Sequence, residues 1–138
     1  MAYWLFKSEP STWSWDDQIK AGDKGTQWDG VRNYQARNNM DAMKIGDLGF
    51  FYHSVKERNI VGIVQVIAES HQDTTIEDQT WRCVDLAYHK SFKNTVNLDL
   101  IKSMPELSDM ILVKNSRLSV QPVTKHEWDI ICKIGSPY

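Results

Sequence analysis

The stretch from residue 47 to residue 67 limits the fold most strongly. In residues 47–53, Leu48, Phe50 and Tyr52 fall on one side of an extended chain and Phe51 and His53 on the other. A polar turn, Lys56-Glu57-Arg58-Asn59, leads to residues 60–67, where Ile60, Val61, Ile63, Val64, Val66 and Ile67 put aliphatic side chains on both faces. A strand that is apolar on both faces must be covered on both, so it belongs in the middle of a sheet. The spacing makes the two segments an antiparallel hairpin.

The flanking segments supply the rest of such a sheet and its cover. Residues 3–7 read as a short buried strand. Ser11 or Ser14 caps a short helix through Ile19, with Asp16 and Asp17 in its favourable first turn; Gly22 and Gly25 mark the turn after it. Residues 33–43 have helical spacing, with Ala36, Met40 and Met43 facing inward and Arg37 paired with Asp41 on another face. Residues 69–79 read as a polar loop, 81–88 as a strand and 97–102 as a short helix, and Pro105 opens another helix. Residues 117–123 form a last strand whose proline puts it at an edge. Thr124-x-x-Glu127 is a capping box for a closing helix that buries Trp128, Ile131 and Cys132. No long crossover helices separate the strands, which argues against a doubly wound parallel sheet. The expectation is an α+β fold over residues 1–138 as one domain, with five or six mostly antiparallel strands in a small barrel-like sheet decorated by short helices.

Charge and motifs exclude several functions. The net charge is -2, with eight basic and eight acidic side chains in residues 1–64 and eight and ten in the remainder. Neither half is a phosphate magnet, so a nucleic-acid partner must be read at a local site. Cys83 and Cys132 lie far apart and the four histidines are scattered, so no metal site and no disulfide framework is expected, only reduced thiols. There is no P-loop and no G-x-G-x-x-G, and no cofactor is expected. Residues 1–7 are too short for a signal peptide, and no apolar run approaches the roughly 18 residues a membrane span needs.

The chemistry concentrates in Trp28-Asp-Gly-Val-Arg-Asn-Tyr-Gln-Ala-Arg-Asn-Asn39, which packs two aromatics, two arginines and three asparagines around one glycine. Flat rings stack, amides offer paired donors and acceptors, and guanidinium is a rigid fork. Together they suit a pocket for a planar polar ligand such as a nucleobase. Trp28 is a pocket wall or a core residue; Asn33 and Arg37 are ligand contacts, or an ordinary cap and a solvated charge. Lys7, Ser8 and Glu9 end the first strand at a pocket rim or in a plain turn fixed by Pro10, and His53 and Ser54 end another strand. Ser8, His53 and Glu9 have the residue types of a hydrolytic triad, but the nucleophile elbow G-x-S-x-G is missing.

The chain resembles the EVE-domain family of the PUA-like superfold. The likeness rests on Tyr3-Trp-Leu-Phe-Lys-Ser-Glu-Pro10, the run from Trp28 to Asn38, Gly46-Asp47, Phe50-Phe-Tyr-His-Ser54, Ile60-Val-Gly-Ile-Val64, Trp81 with Val84-Asp85, and Arg117-Leu-Ser-Val-Gln-Pro122, in family order over nearly the whole chain. It implies a PUA-like pseudo-barrel with one pocket that recognises a modified base, in particular a cytosine derivative in DNA, or modified RNA. The related YTH domains hold a methylated adenine in an aromatic cage, and their Lys-Ser and cage tryptophan are similar to Lys7-Ser8 and Trp28. Arg32, Asn33, Tyr34, Arg37, His53, Ser54, Arg117 and Ser119 match the EVE motif. In the reading this implies, Trp28 stacks on the base, Ser8, Glu9 and Asn33 meet its polar edge, and Lys7, Arg32, Arg37 and Arg117 hold phosphates; Trp13, Trp15 or Tyr52 supplies the second wall. The expected protein is a non-enzymatic, monomeric, soluble reader, cytoplasmic in a bacterium or nuclear in a eukaryote. Two other readings stand beside it. One is a nucleic-acid- or nucleoside-processing enzyme of ASCH-like type, with His53 or Glu9 as general base and Ser8 as nucleophile; the other is a protein-interaction module.

Overall fold

A computed structural model describes residues 1–136. Six strands form one sheet: β1 (Tyr3–Ser8), β2 (Thr26–Gln27), β3 (Leu48–His53), β4 (Asn59–Gln72), β5 (Arg82–Asn97) and β6 (Val120–Val123), in the order β2-β5-β4-β3-β1-β6. All pairs are antiparallel except β1 with β3. Five helices decorate it: α1 (Trp15–Ala21), α2 (Tyr34–Asp41), α3 (Leu98–Ser103), α4 (Ile111–Lys114) and α5 (Lys125–Gly135). The hairpin expected from residues 47–67 is β3 with β4, and β4 is central. β6, with its proline, is an edge.

The helix starts follow their caps. Ser14 and Asp17 form a capping box at α1, Asn33 accepts a hydrogen bond from the Ala36 N–H at 2.9 Å at α2, and Thr124 and Glu127 form the capping box of α5. Each caps orphan N–H groups that the helix itself cannot satisfy.

The strand alternation produces two cores, one on each face of the sheet. Trp4 and Phe6 of β1, Phe51 of β3, and Val64 and Val66 of β4 pack with Ala36, Met40 and Met43 below α2. Leu5, Phe50 and Tyr52 face the other way, with Trp128 and Ile131 of α5. Trp128 stacks on Phe50 at 4.0 Å and on Tyr3 at 4.4 Å. Along β4, Ile60 and Ile63 share one core while Val61 and Val64 share the other, so the side-chain parity shifts by one. The register break between Ile60 and Gly62, which leaves Val61 unpaired against both β3 and β5, causes the shift. Bulges of this kind bend and twist long strands, and here they roll an open-edged sheet into the PUA-like pseudo-barrel.

Gly62 sits where the sheet and α1 meet most closely. A Cβ there would lie 2.2 Å from Cζ2 of Trp15 and 2.7 Å from the Lys90 carbonyl oxygen. Trp15 is itself wedged against Phe51 and Tyr88, so it cannot retreat. Gly62→Ala is therefore expected to cost about 1–3 kcal/mol through overpacking, read as a lower urea midpoint at unchanged slope.

The structure corrects several local expectations. Residues 69–72, expected in a loop, continue β4, and β5 runs on to Asn97, well past the expected end at residue 88. The β4 tail carries no strong hydrophobic alternation and is held by bonds to the start of β5, including His71 Nε2 with Asp85 Oδ1 at 2.8 Å and the Arg82 guanidinium to the Ser70 carbonyl at 2.9 Å, while the β5 tail pairs with residues 59–63 and buries Phe92 and Val96. Residues 117–119 precede β6 rather than belonging to it. Arg37 does not pair with Asp41: it reaches the Thr80 carbonyl at 3.1 Å and the Asn38 side chain, while Asp41 pairs with Arg82 at 3.1 Å. Cys132, on the buried side of α5 as expected, is half-buried against the Trp128 core, and Cys83 is fully buried; both thiols are free. Burial pushes Cys83 up to about 12 and Cys132 up to about 11, which keeps both protonated and unreactive.

Candidate functional site

The end of β1 and the segment following β2 enclose a cavity of about 450 Å³, within the range of small-ligand pockets. Lys7, Ser8 and Glu9 line one side, Trp28, Gly30 and Arg32 another, and Trp13, Asp29 and Ser119 are also among its lining. Six of the twelve residues singled out in the sequence therefore meet here: Lys7, Ser8, Glu9, Trp28, Arg32 and Ser119. Trp13 is the one of the three suggested second-wall residues that lines this cavity; Trp15 and Tyr52 lie elsewhere.

Trp28 is both pocket wall and core residue. Only 8% of it is exposed, and its ring packs edge-on against Phe6 at 5.6 Å and Phe51 at 5.7 Å. Its backbone N–H donates to the Val84 carbonyl at 2.8 Å, anchoring the wall to β5. Trp13 is held by its indole N–H, which donates to Gln18 at 2.9 Å. The Ser8 hydroxyl donates to the Trp13 carbonyl at 2.5 Å, which leaves the Ser8 oxygen free to accept. The Lys7 ammonium donates to the Ser116 carbonyl at 2.8 Å, and burial lowers its pKa below the ordinary lysine value.

Asp73, just past the end of β4, does not stand out in the sequence, yet it organises this wall. Its side chain is 1% exposed. It accepts from the Gly30 N–H at 2.8 Å, from Arg32 at 3.0 Å, and from the Thr75 N–H at 2.8 Å and the Thr75 hydroxyl. Burial alone would raise its pKa, but the donors from Thr75, Gly30 and Arg32 outweigh burial and hold the carboxyl well below the usual carboxylate range. Gly30 sits at φ +82°, a conformation few other residues adopt, and so aims its N–H at Asp73. Beside it, the Gln27 amide donates to the Thr74 hydroxyl at 3.0 Å. Asp73-Thr-Thr75 is legible as a local turn, but nothing local shows that its carboxylate reaches across to Gly30.

The remaining predicted residues lie outside this cavity. Asn33 spends its side-chain oxygen on capping α2. Arg32, Trp81, Tyr34 and Arg37 form a ladder that leads away from the pocket: Arg32 over Trp81 at 5.6 Å, Trp81 with Tyr34 at 5.1 Å, and Arg37 over Tyr34 at 5.0 Å. Tyr34 is exposed at its outer end. Ser54 donates its N–H to the Ser8 carbonyl at 2.9 Å and lines a second cavity. The Arg117 N–H donates to Asn115 at 3.2 Å, and its residue is exposed. His53 is buried: its Nε2 accepts from the Trp15 N–H at 3.0 Å, so its Nδ1 carries the proton toward Glu57 at 3.2 Å. With both ring nitrogens engaged and the Ser8 hydroxyl turned to Trp13, Ser8, His53 and Glu9 do not assemble a triad. No group of three metal-ligating side chains stands together among the described residues.

The family model for the EVE domain matches residues 2–134. The chain belongs to the EVE domain family. Protein Atu2648 of Agrobacterium tumefaciens, a crystal structure, is 52% identical, with a TM-score of 0.96 over 99% of this chain and 94% of that one. Human THYN1, crystallised in complex with 5-methylcytosine-containing DNA, is 33% identical, with a TM-score of 0.92 over 99% of this chain and 98% of that one. Thymocyte nuclear protein 1 of Gallus gallus is 35% identical over 96% of this chain and 68% of its own length. The EVE motif residues of the sequence thus sit on one fold shared across bacterial and vertebrate members. In this member Arg32 and Ser119 line the cavity, Tyr34 and Arg37 extend the ladder beside it, and Asn33, His53, Ser54 and Arg117 stand outside both.

Proposed function

We propose that this EVE domain is a non-enzymatic reader of a modified nucleobase, and that the base is 5-methylcytosine in DNA. The observation that carries the reading is the cavity itself, with Trp28 on one wall and Trp13 on another, and Ser8 and Glu9 at the polar rim. The human relative's 5-methylcytosine-containing DNA supports the ligand class. A base paired in a duplex hides its edge, so it must be unpaired or flipped out to enter.

Inside, Trp28 stacks on the base for about 1–3 kcal/mol. The Glu9 carboxylate accepts from the exocyclic amino group, the pairing that cytosine's N4 donor favours. The Ser8 oxygen accepts from the second hydrogen of that amino group. The methyl group adds only ~0.8 kcal/mol by burial, so close contact with the two indoles supplies the remaining preference. Arg32, held by Asp73 and resting on Trp81, starts a path for the flanking strand that Tyr34 and Arg37 continue. Asn33 serves this path through the helix it caps. The protein works wherever that nucleic acid lies, in a bacterial cytoplasm or a eukaryotic nucleus.

The test is a titration of a short duplex carrying one 5-methylcytosine, its unmodified twin, and single-stranded RNA with the same modified base. The methylated duplex is expected to bind several-fold more tightly than the plain one, roughly the factor of ten that 1.4 kcal/mol supplies. Equal affinity for the two duplexes would sink the reading. Tighter binding of the RNA would move it to RNA. Nucleoside mass analysis after prolonged incubation is expected to show the modified base unchanged.

A further inference from the structure

A second cavity, of about 380 Å³, adjoins the first, and Lys7 lines both. Its other polar lining residues are Tyr52, Ser54, Arg58, Lys102 and Ser116, and no acidic side chain lines it. Three cations thus converge on one hollow from the end of β1, the β3–β4 turn and α3. Glu57 and Asp99 line a different hollow that shares Val55, Arg58 and Leu98 with this one.

Two of the three charges are unspent. The Arg58 guanidinium makes one weak bond, from Nε to the Val55 carbonyl at 3.3 Å. Lys102 is exposed and has no partner among the described residues. Hydroxyls stand beside them on Tyr52, Ser54 and Ser116. The turn that carries Arg58 is strained: Val55 lies at φ +73° and Arg58 at φ +50°, where β-branched and long side chains rarely sit. Strain of this kind is kept where the surroundings demand a particular aim, and here it puts Arg58 at the cavity.

We propose that this cavity is an anion subsite that holds a backbone phosphate of the same strand whose base enters the first pocket. The proposal rests on the base-reading function above. Lys7 is the hinge between the two sites: it is half-buried, tied to the Ser116 carbonyl, and shared by both cavities. A strand with one base in the first pocket has its adjoining phosphate within reach of the second. Phosphate contacts fix register and orientation and carry no sequence information. The subsite therefore sets overall affinity and its salt dependence, and the pocket sets the preference for the modification.

The test compares wild type, the double variant Arg58→Asn and Lys102→Gln, and Lys102→Arg on the methylated and plain duplexes over a range of salt. Asparagine tolerates the positive φ at position 58, and both positions are exposed, so the fold is kept. The double variant is expected to weaken both duplexes by the same factor and to reduce the salt slope by about 1, the share of one phosphate. The ratio between the duplexes is expected to stay as in wild type. Lys102→Arg keeps the charge and is expected to behave as wild type. Trp28→Phe is expected to do the reverse, lowering the ratio and leaving the slope. An unchanged slope and affinity in the double variant overturns the subsite and leaves the base-reading function standing. A wild type without preference for the methylated duplex overturns that function, while the slope on the plain duplex still decides the subsite. No binding of either duplex overturns both.

Discussion

Trp28→Ala is expected to lose the preference for a modified base and to lower folding stability by about 3–5 kcal/mol at the same time. Both effects follow from one ring. Its edge contacts with Phe6 and Phe51 sit in the core that α2 covers, so truncation opens a cavity there. Its exposed face lines the pocket, so truncation also removes the stacking surface. The binding loss must therefore be separated from the folding loss. Urea denaturation reports the folding loss. Titration with the methylated and plain duplexes, at a temperature where the variant is folded, reports the binding loss. Trp28→Phe completes the argument: a smaller ring keeps much of the core contact and offers a poorer stack. It is expected to be much milder in denaturation and still clearly weaker in preference. A Trp28→Ala protein that is folded and still prefers the methylated duplex would remove Trp28 from the site.

Asp73→Ala is expected to cost about 2–3 kcal/mol and to loosen the pocket wall. Removing the carboxylate leaves the Gly30 and Thr75 N–H groups without an acceptor and Arg32 without its counter-ion. Arg32 is about one-third exposed, so the loss falls below that of a fully buried pair. The pH dependence follows from the lowered pKa. A carboxylate held below its unfolded value stabilises the fold above that value and loses the contribution as pH falls through the folded one. With an unfolded reference of about 3.9, wild type is expected to lose this stability only below about pH 4. Asp73→Asn has no carboxylate to protonate and keeps an oxygen that can accept. It is expected to flatten the acid limb of the stability curve, measured by denaturation between neutral pH and strong acid. An acid limb as steep as wild type's would show that other carboxylates control it.

The two variants differ in what they reveal about the site. Trp28 acts on the ligand directly. Asp73 acts through Gly30 and Arg32, so its binding defect is expected to follow the order of the wall, and Asp73→Asn is expected to restore much of it. The neighbouring clasp of the wall, from Gln27 to Thr74, has the same logic on a smaller scale.

Much of the fold is legible in residue order because it depends on local patterns. The period-two alternation in residues 47–53, the double-sided aliphatic run that follows, the helical spacing of Ala36, Met40 and Met43, and the caps Ser14, Asn33 and Thr124 each act within a few residues. They determine strands, helices and inward faces before any long-range contact forms. The concentration of stacking and forked side chains between Trp28 and Asn39 marks a recognition segment for the same reason. Tertiary structure decides what depends on partners far along the chain. The end of β4 is a strand because it pairs with the start of β5, and the end of β5 because it pairs with the start of β4. Asp73 is a buried anchor because Gly30 and Arg32 come to it across more than forty positions. His53 spends its ring on Trp15 and Glu57, and Lys7 serves two cavities, because turns from separate elements converge there. A single residue's chemistry is written in its type, but its hydrogen-bond partners and burial are set only when the sheet closes around it.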